Sequence, residues 1–142
     1  MSTTTLMKSI YINAKREKVW NYLTDKDKLA TWFRRGVESL AEGEDFTLLI
    51  EAEDGSSKPL IWGTVKEWKP HSKLVTTFNV EMFNGRETIV TWTLDDAADG
   101  TRLTLVHEGV AEGAGDAASD LLSGFDKGWD KHFADLRDQA AS

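Results

Sequence analysis

The chain reads as an α+β protein in which a curved antiparallel sheet wraps one long C-terminal helix. Three observations carry that reading. Two short aromatic-bearing helical segments come early, a run of strands joined by turn chemistry follows, and one amphipathic helix from Asp116 to about Ala140 closes the chain. Consecutive strands joined by short turns pair antiparallel. A helix with one apolar stripe needs a sheet face to cover it.

Leu6 to Ile12 is the first predicted strand, with Ile10 and Ile12 on one face. Asn13 or Ala14 then opens a helix in which Val19, Trp20 and Leu23 share a face. Leu29, Trp32 and Phe33 repeat that geometry in a second helix, with Thr24 or Asp25 as the cap between them. Phe46, Leu48 and Ile50 alternate with Thr47 and Leu49 in the next strand, and Glu53 to Ser57 is turn chemistry. Leu60 to Trp68 forms a further strand, ended by Pro70-His71-Ser72. Leu74, Thr76 and Phe78 alternate in another.

Asn84-Gly85 and Asp99-Gly100 are the strongest hairpin signals, because primed turns need positive φ. Between them Val90, Trp92 and Leu94 share one face of the strand Glu87 to Leu94. In Arg102 to Glu108, Leu103, Leu105 and His107 do the same. Gly109 to Gly115 reads as a loop, and Asp116 or Ser119 is expected to cap the last helix. Leu122, Phe125, Trp129, Phe133 and Leu136 form that helix's apolar stripe. Gly124 and Gly128 lie within it, each costing about 1 kcal/mol relative to alanine. They either let the sheet approach closely or leave room for a ligand.

The 142 residues are expected to form a single domain, 1–142, since no linker or repeat interrupts them. The net charge of −7 argues against nucleic acid as a partner, because that affinity rests on Lys and Arg neutralising phosphates. No cysteine is present, which excludes disulfides and thiolate metal sites. No signal peptide is visible and no apolar run reaches membrane-spanning length, so the default expectation is a cytoplasmic protein without membrane insertion. His71, His107 and His132 match no metal-ligand spacing. No nucleophile elbow or phosphate-binding glycine loop occurs, and no cofactor is expected.

His107-Glu108-Gly109-Val110, Gly128-Trp129 with Phe133 and Leu136 beyond, Val19-Trp20, Trp32-Phe33, and Gly63-Thr64-Val65 leading into Pro70 and Leu74 together resemble one family. It is the family of the 90-kDa heat-shock protein ATPase activator (AHSA-type), within the START, Bet v-like and polyketide-cyclase superfamily (SRPBCC). The resemblance runs from Lys8 to about Gln139. It implies a helix-grip fold of six to seven strands, with the two short helices plugging one end and a cavity between sheet and helix. The eukaryotic chaperone activator has a further N-terminal domain for chaperone contacts, and only five residues precede Leu6 here. The resemblance therefore speaks more for the cavity than for chaperone activation.

The expected partner is an apolar or amphipathic small molecule held in that cavity, by a monomer or a homodimer. Trp32, Phe33, Phe78, Trp92, His107, Phe125 and Trp129 are the candidate lining residues. Glu67 and Arg86 are the candidate polar anchors. Glu67 is also the best acid-base candidate if it faces inward with Gly63 and Val65. His107 would orient a ligand or act as a base; the stronger expectation is a half-exposed strand-end histidine bonded to backbone. His132 is expected at the solvent edge of the stripe, and His71 on the surface. Two alternatives remain: a cyclase-, aromatase- or hydrolase-type enzyme using a pair such as Glu67 with His107, and a chaperone-associated interaction module.

Overall fold

A computed structural model describes residues 5–83, 85–111 and 117–141. Seven strands form one antiparallel sheet: β1 (Thr5–Ile12), β2 (Arg35–Gly36), β3 (Asp45–Glu51), β4 (Ser57–Lys69), β5 (Lys73–Phe78), β6 (Thr88–Ala97) and β7 (Gly100–Glu108), in the order β1-β7-β6-β5-β4-β3-β2. Helices α1 (Arg16–Thr24) and α2 (Lys26–Trp32) follow β1, and α3 (Ala118–Ala141) ends the chain. The Asp116 end of the predicted helix lies outside the described residues, and Ser119, the other expected cap, lies inside the first turn of α3.

The alternations set the packing. Leu74 and Thr76 of β5, Val90, Trp92 and Leu94 of β6, and Leu103, Leu105 and His107 of β7 are buried on the face toward α3. Trp129, Phe133 and Leu136 answer them from the helix. Asp25 caps α2 as expected, its carboxylate accepting from the Asp27 and Lys28 amides at 2.9 and 3.2 Å. The first helix begins at Arg16, later than the predicted Asn13 or Ala14, with Lys15 as its N-cap.

Both hairpin signals act differently from expectation. Ala98-Asp99 forms the β6–β7 turn, with positive φ at Ala98 (51°) rather than at Gly100. Gly100 is needed for close approach: a Cβ there would collide with the Ile12 carbonyl and with the Tyr11 hydroxyl at 2.6 Å. Gly85 does take positive φ (86°). It belongs, however, to a longer β5–β6 connection with a 3-10 turn, Glu81–Phe83, which buries Phe83 completely, and Asn84 lies outside the described residues.

Two irregularities in β4 re-aim its side chains. Leu48 pairs with Ile61 and Leu49 with Pro59, so Leu60 is an extra residue. Val65 pairs with Thr76 and Glu67 with Val75, so Lys66 is another. An extra residue breaks the two-residue period and shifts which face the following side chain occupies.

Candidate functional site

An apolar cavity opens between α3, the end of α2 and the β4–β5 side of the sheet, with a volume of about 380 Å³. That lies within the roughly 300–1,000 Å³ range of small-molecule sites. Its apolar wall comes from Phe33, Leu60, Ile61, Phe78, Val80, Leu121, Phe125 and Trp129. The bulge at Leu60 explains how two successive strand residues, Leu60 and Ile61, both reach this wall.

Gly124 and Gly128 form part of the helix side, and a Cβ on either would meet nothing within 4 Å. Of the two readings of this pair, close sheet approach is therefore excluded and open space remains. Gly124, Gly128 and His132 repeat at intervals of four, so one stripe of α3 faces the cavity.

Three polar residues complete the lining: Arg34, Asp120 and His132. His132 Nδ1 lies 3.1 Å from the Trp32 carbonyl, which can only accept, so Nδ1 carries the proton. Burial lowers the His132 pKa, and the Arg34 charge lowers it further against the opposing hydrogen bond and Asp135. The neutral ring then presents an Nε2 lone pair that has no partner among the described residues. Phe33 holds this corner together, stacked on Trp129 at 5.4 Å and edge-on to His132 at 4.8 Å. Arg34, the next residue, has a buried Nε without a hydrogen-bond partner among the described residues.

Four of the candidate lining residues, Phe33, Phe78, Phe125 and Trp129, do line this cavity. Trp32 and Trp92 do not. They surround a separate 30 Å³ hollow, room for about one water, and pack edge-to-face at 6.1 Å. Trp32 donates its indole N–H to the Tyr22 carbonyl at 2.8 Å, tying α2 to α1.

His107 is corrected twice. It is not half-exposed but fully buried, and it sits behind the cavity wall rather than in it. Trp129 Nε1–H donates to His107 Nδ1 at 3.2 Å, and Thr88 Oγ1 lies 2.8 Å from Nε2. The Thr88 hydroxyl donates to the Phe78 carbonyl at 2.6 Å, so its oxygen accepts from Nε2–H. Both ring nitrogens are thus engaged in one directional chain, and burial pushes the pKa down to about 4. Nothing in this arrangement frees a nitrogen for ligand or proton transfer.

Glu67 and Arg86 also lie away from the cavity. The extra residue Lys66 turns Glu67 to the outer face, where it pairs with Lys69 at 3.2 Å and Lys73 at 3.3 Å. Those ammonium groups lower its pKa, the reverse of what an acid catalyst needs. Arg86 donates to the Gly109 carbonyl at 3.3 Å and lies over the Phe83 ring, bracing the β5–β6 connection. His71 is half-buried rather than on the surface, edge-on to Trp20.

Sequence reasoning missed Arg34 and His132 as a pair. The stripe Gly124, Gly128, His132 was a usable signal on one side. Nothing local distinguishes Arg34 from Arg35, whose guanidinium pairs with Glu51 at 3.1 Å and Ser57 at 2.6 Å.

A seven-stranded sheet gripping a C-terminal helix, with an open apolar cavity between them, defines a helix-grip protein of the Bet v-like class. The sequence model described as activator of Hsp90 ATPase homolog 1-like protein matches residues 13–140, and the chain belongs to that family. Similar solved structures include CalU16 from Micromonospora echinospora, at 21% identity and TM-score 0.77, covering 98% of this chain and 77% of that one. Protein MLL2253 from Mesorhizobium loti matches at 23% identity and TM-score 0.77, over 96% of both chains. The Aha1 dimer from Colwellia psychrerythraea matches at 17% identity and TM-score 0.77, over 97% of this chain and 96% of that one. At these identities the likeness is one of fold. No curated protein matches the chain.

Proposed function

We propose that this protein binds a small apolar or amphipathic molecule in the cavity between α3 and the β4–β5 side of the sheet. The glycine pair carries this reading. Gly124 and Gly128 sit mid-helix, where each costs about 1 kcal/mol against alanine. Neither is offset by packing, since open space faces both. A helix that keeps such residues only on its cavity side is shaped for an occupant. Binding would come mainly from burial of the ligand against the aromatic and aliphatic wall, at about 25 cal/mol per Å² of apolar surface. The family and fold are consistent with ligand binding. The enzyme alternative loses its nominated pair, because Glu67 faces outward and His107 is locked inside the core.

The test is fluorescence titration with the uncharged probe N-phenylnaphthylamine. The native chain should bind it, and Gly128→Leu, which projects a side chain into the cavity, should weaken binding at least about tenfold with the circular dichroism spectrum retained. Equal binding by a folded Gly128→Leu protein would place the probe elsewhere and refute the reading.

A further inference from the structure

The polar corner of the cavity specifies more than an apolar ligand. Arg34 makes no hydrogen bond or ion pair among the described residues, and its Nε is buried and unpartnered. It does so in a protein of net charge −7, where exposed carboxylates outnumber cations. A guanidinium is always charged and planar, and a bare buried donor on it is disfavoured until an acceptor arrives. Asp120 on the rim is exposed and forms no ion pair with Arg34 among the described residues. His132, its pKa lowered chiefly by burial, is neutral at neutral pH and leaves the positive charge of the lining to Arg34.

We propose that Arg34 is an anion-recognition residue, and that the cavity takes an amphipathic acid. The ligand's apolar body lies along Phe78, Phe125 and Trp129, and its single oxyacid head, of the carboxylate or sulfonate kind, accepts from the Arg34 guanidinium. The Nε2 lone pair of His132 remains to accept from a hydroxyl beside that head. Charge-assisted hydrogen bonds of this type are the stronger kind, and two parallel bonds from one guanidinium fix orientation as well. The inference rests on the cavity-binding reading and names its ligand class.

Two probes of matched aromatic body separate the questions: uncharged N-phenylnaphthylamine and anilinonaphthalene sulfonate. The native chain should bind the sulfonate about tenfold more tightly than the neutral probe. Arg34→Gln should abolish that preference while leaving the neutral probe bound, which also shows the variant folded. Arg35→Gln, one residue along and engaged with Glu51, should keep the preference. Equal affinity for the two probes, or equal loss in Arg34→Gln and Arg35→Gln, would overturn the anion site and leave the cavity reading intact. Failure of both probes to bind the native chain would overturn the cavity reading and this one with it.

Discussion

The space between sheet and α3 has two ends built from similar residues under opposite rules. At the closed end, His107 is engaged through both nitrogens in a chain from the Trp129 indole to the Phe78 carbonyl. At the open end, His132 has one nitrogen committed and Arg34 has a buried nitrogen with no partner among the described residues. Trp129 belongs to both, with its N–H in the first and its ring on the wall of the second. Polar groups fully satisfied inside a core specify packing. Polar groups left unsatisfied at a cavity mark where something else is meant to bind.

The largest way to break that contrast is truncation. His107→Ala should destabilise the protein by about 3–4 kcal/mol, because it removes a buried ring and leaves the Trp129 indole N–H without its acceptor, while Thr88 keeps its bond to the Phe78 carbonyl. His132→Ala, at the half-buried open end, should cost under about 1 kcal/mol. Urea midpoints of the two variants measure the difference. Equal costs would mean that the two ends do not differ as described.

Acid should distinguish the ends almost as strongly. The unfolded chain protonates its histidines near 6.5, whereas the folded protein keeps His107 neutral down to about 4. The unfolded state therefore binds more protons in that window. Stability is complete above pH 6.5 and falls as pH drops toward 4, by up to about 3 kcal/mol from His107. His132, with its pKa also lowered, adds a smaller loss of the same sign. The carboxylates with lowered pKa, Glu67 and Asp54, add losses of the same sign at the acid end of that window and below it, as the unfolded chain protonates around its ordinary carboxyl values of 4.5 and 3.8. In His107→Gln the slope between pH 6.5 and about 5 should shrink to the His132 share; an unchanged slope would remove His107 as its source.

The architecture was legible because periodicity reports it directly. The alternation of Val90, Trp92 and Leu94 with Leu103, Leu105 and His107, and the stripe from Leu122 to Leu136, place sheet and helix without tertiary knowledge. The site was only half legible, for reasons visible at particular residues. Lys66 and Leu60 interrupt the strand period, so Glu67 turns outward and Leu60 inward, and no local pattern announces either bulge. Trp32, Trp92 and Phe33 are alike as sequence, yet only Phe33 reaches the 380 Å³ cavity, because voids depend on how distant elements fit. Whether an arginine is paired is a tertiary fact too, as Arg34 and Arg35 illustrate.

Filling the glycine stripe should move stability and binding in opposite directions. Gly124→Ala and Gly128→Ala should each raise stability by about 1 kcal/mol, since the added methyl meets nothing and relieves the helix of glycine's entropy cost. Affinity for N-phenylnaphthylamine should fall a few-fold as the cavity narrows. A destabilising alanine at either position would show that the stripe is packed, and the contrast between the two ends would weaken accordingly.

The finest comparison is between two arginines. Arg16 is partly buried, donating to Asp96 at 3.0 Å and to the His71 carbonyl and Ser72 hydroxyl at 3.1 Å each. Arg34 is also partly buried and has none of these partners. Arg16→Met should cost about 1 kcal/mol, because it leaves the His71 carbonyl and Ser72 without their donor. Arg34→Met should cost nothing and can gain a few tenths of a kcal/mol, since it replaces an unpaired donor with an apolar side chain of similar length. Thermal melts on both variants at neutral pH read the sign. A loss of stability in Arg34→Met as large as that in Arg16→Met would mean that Arg34 already has a structural partner, and the open end would then be another satisfied core rather than a binding corner.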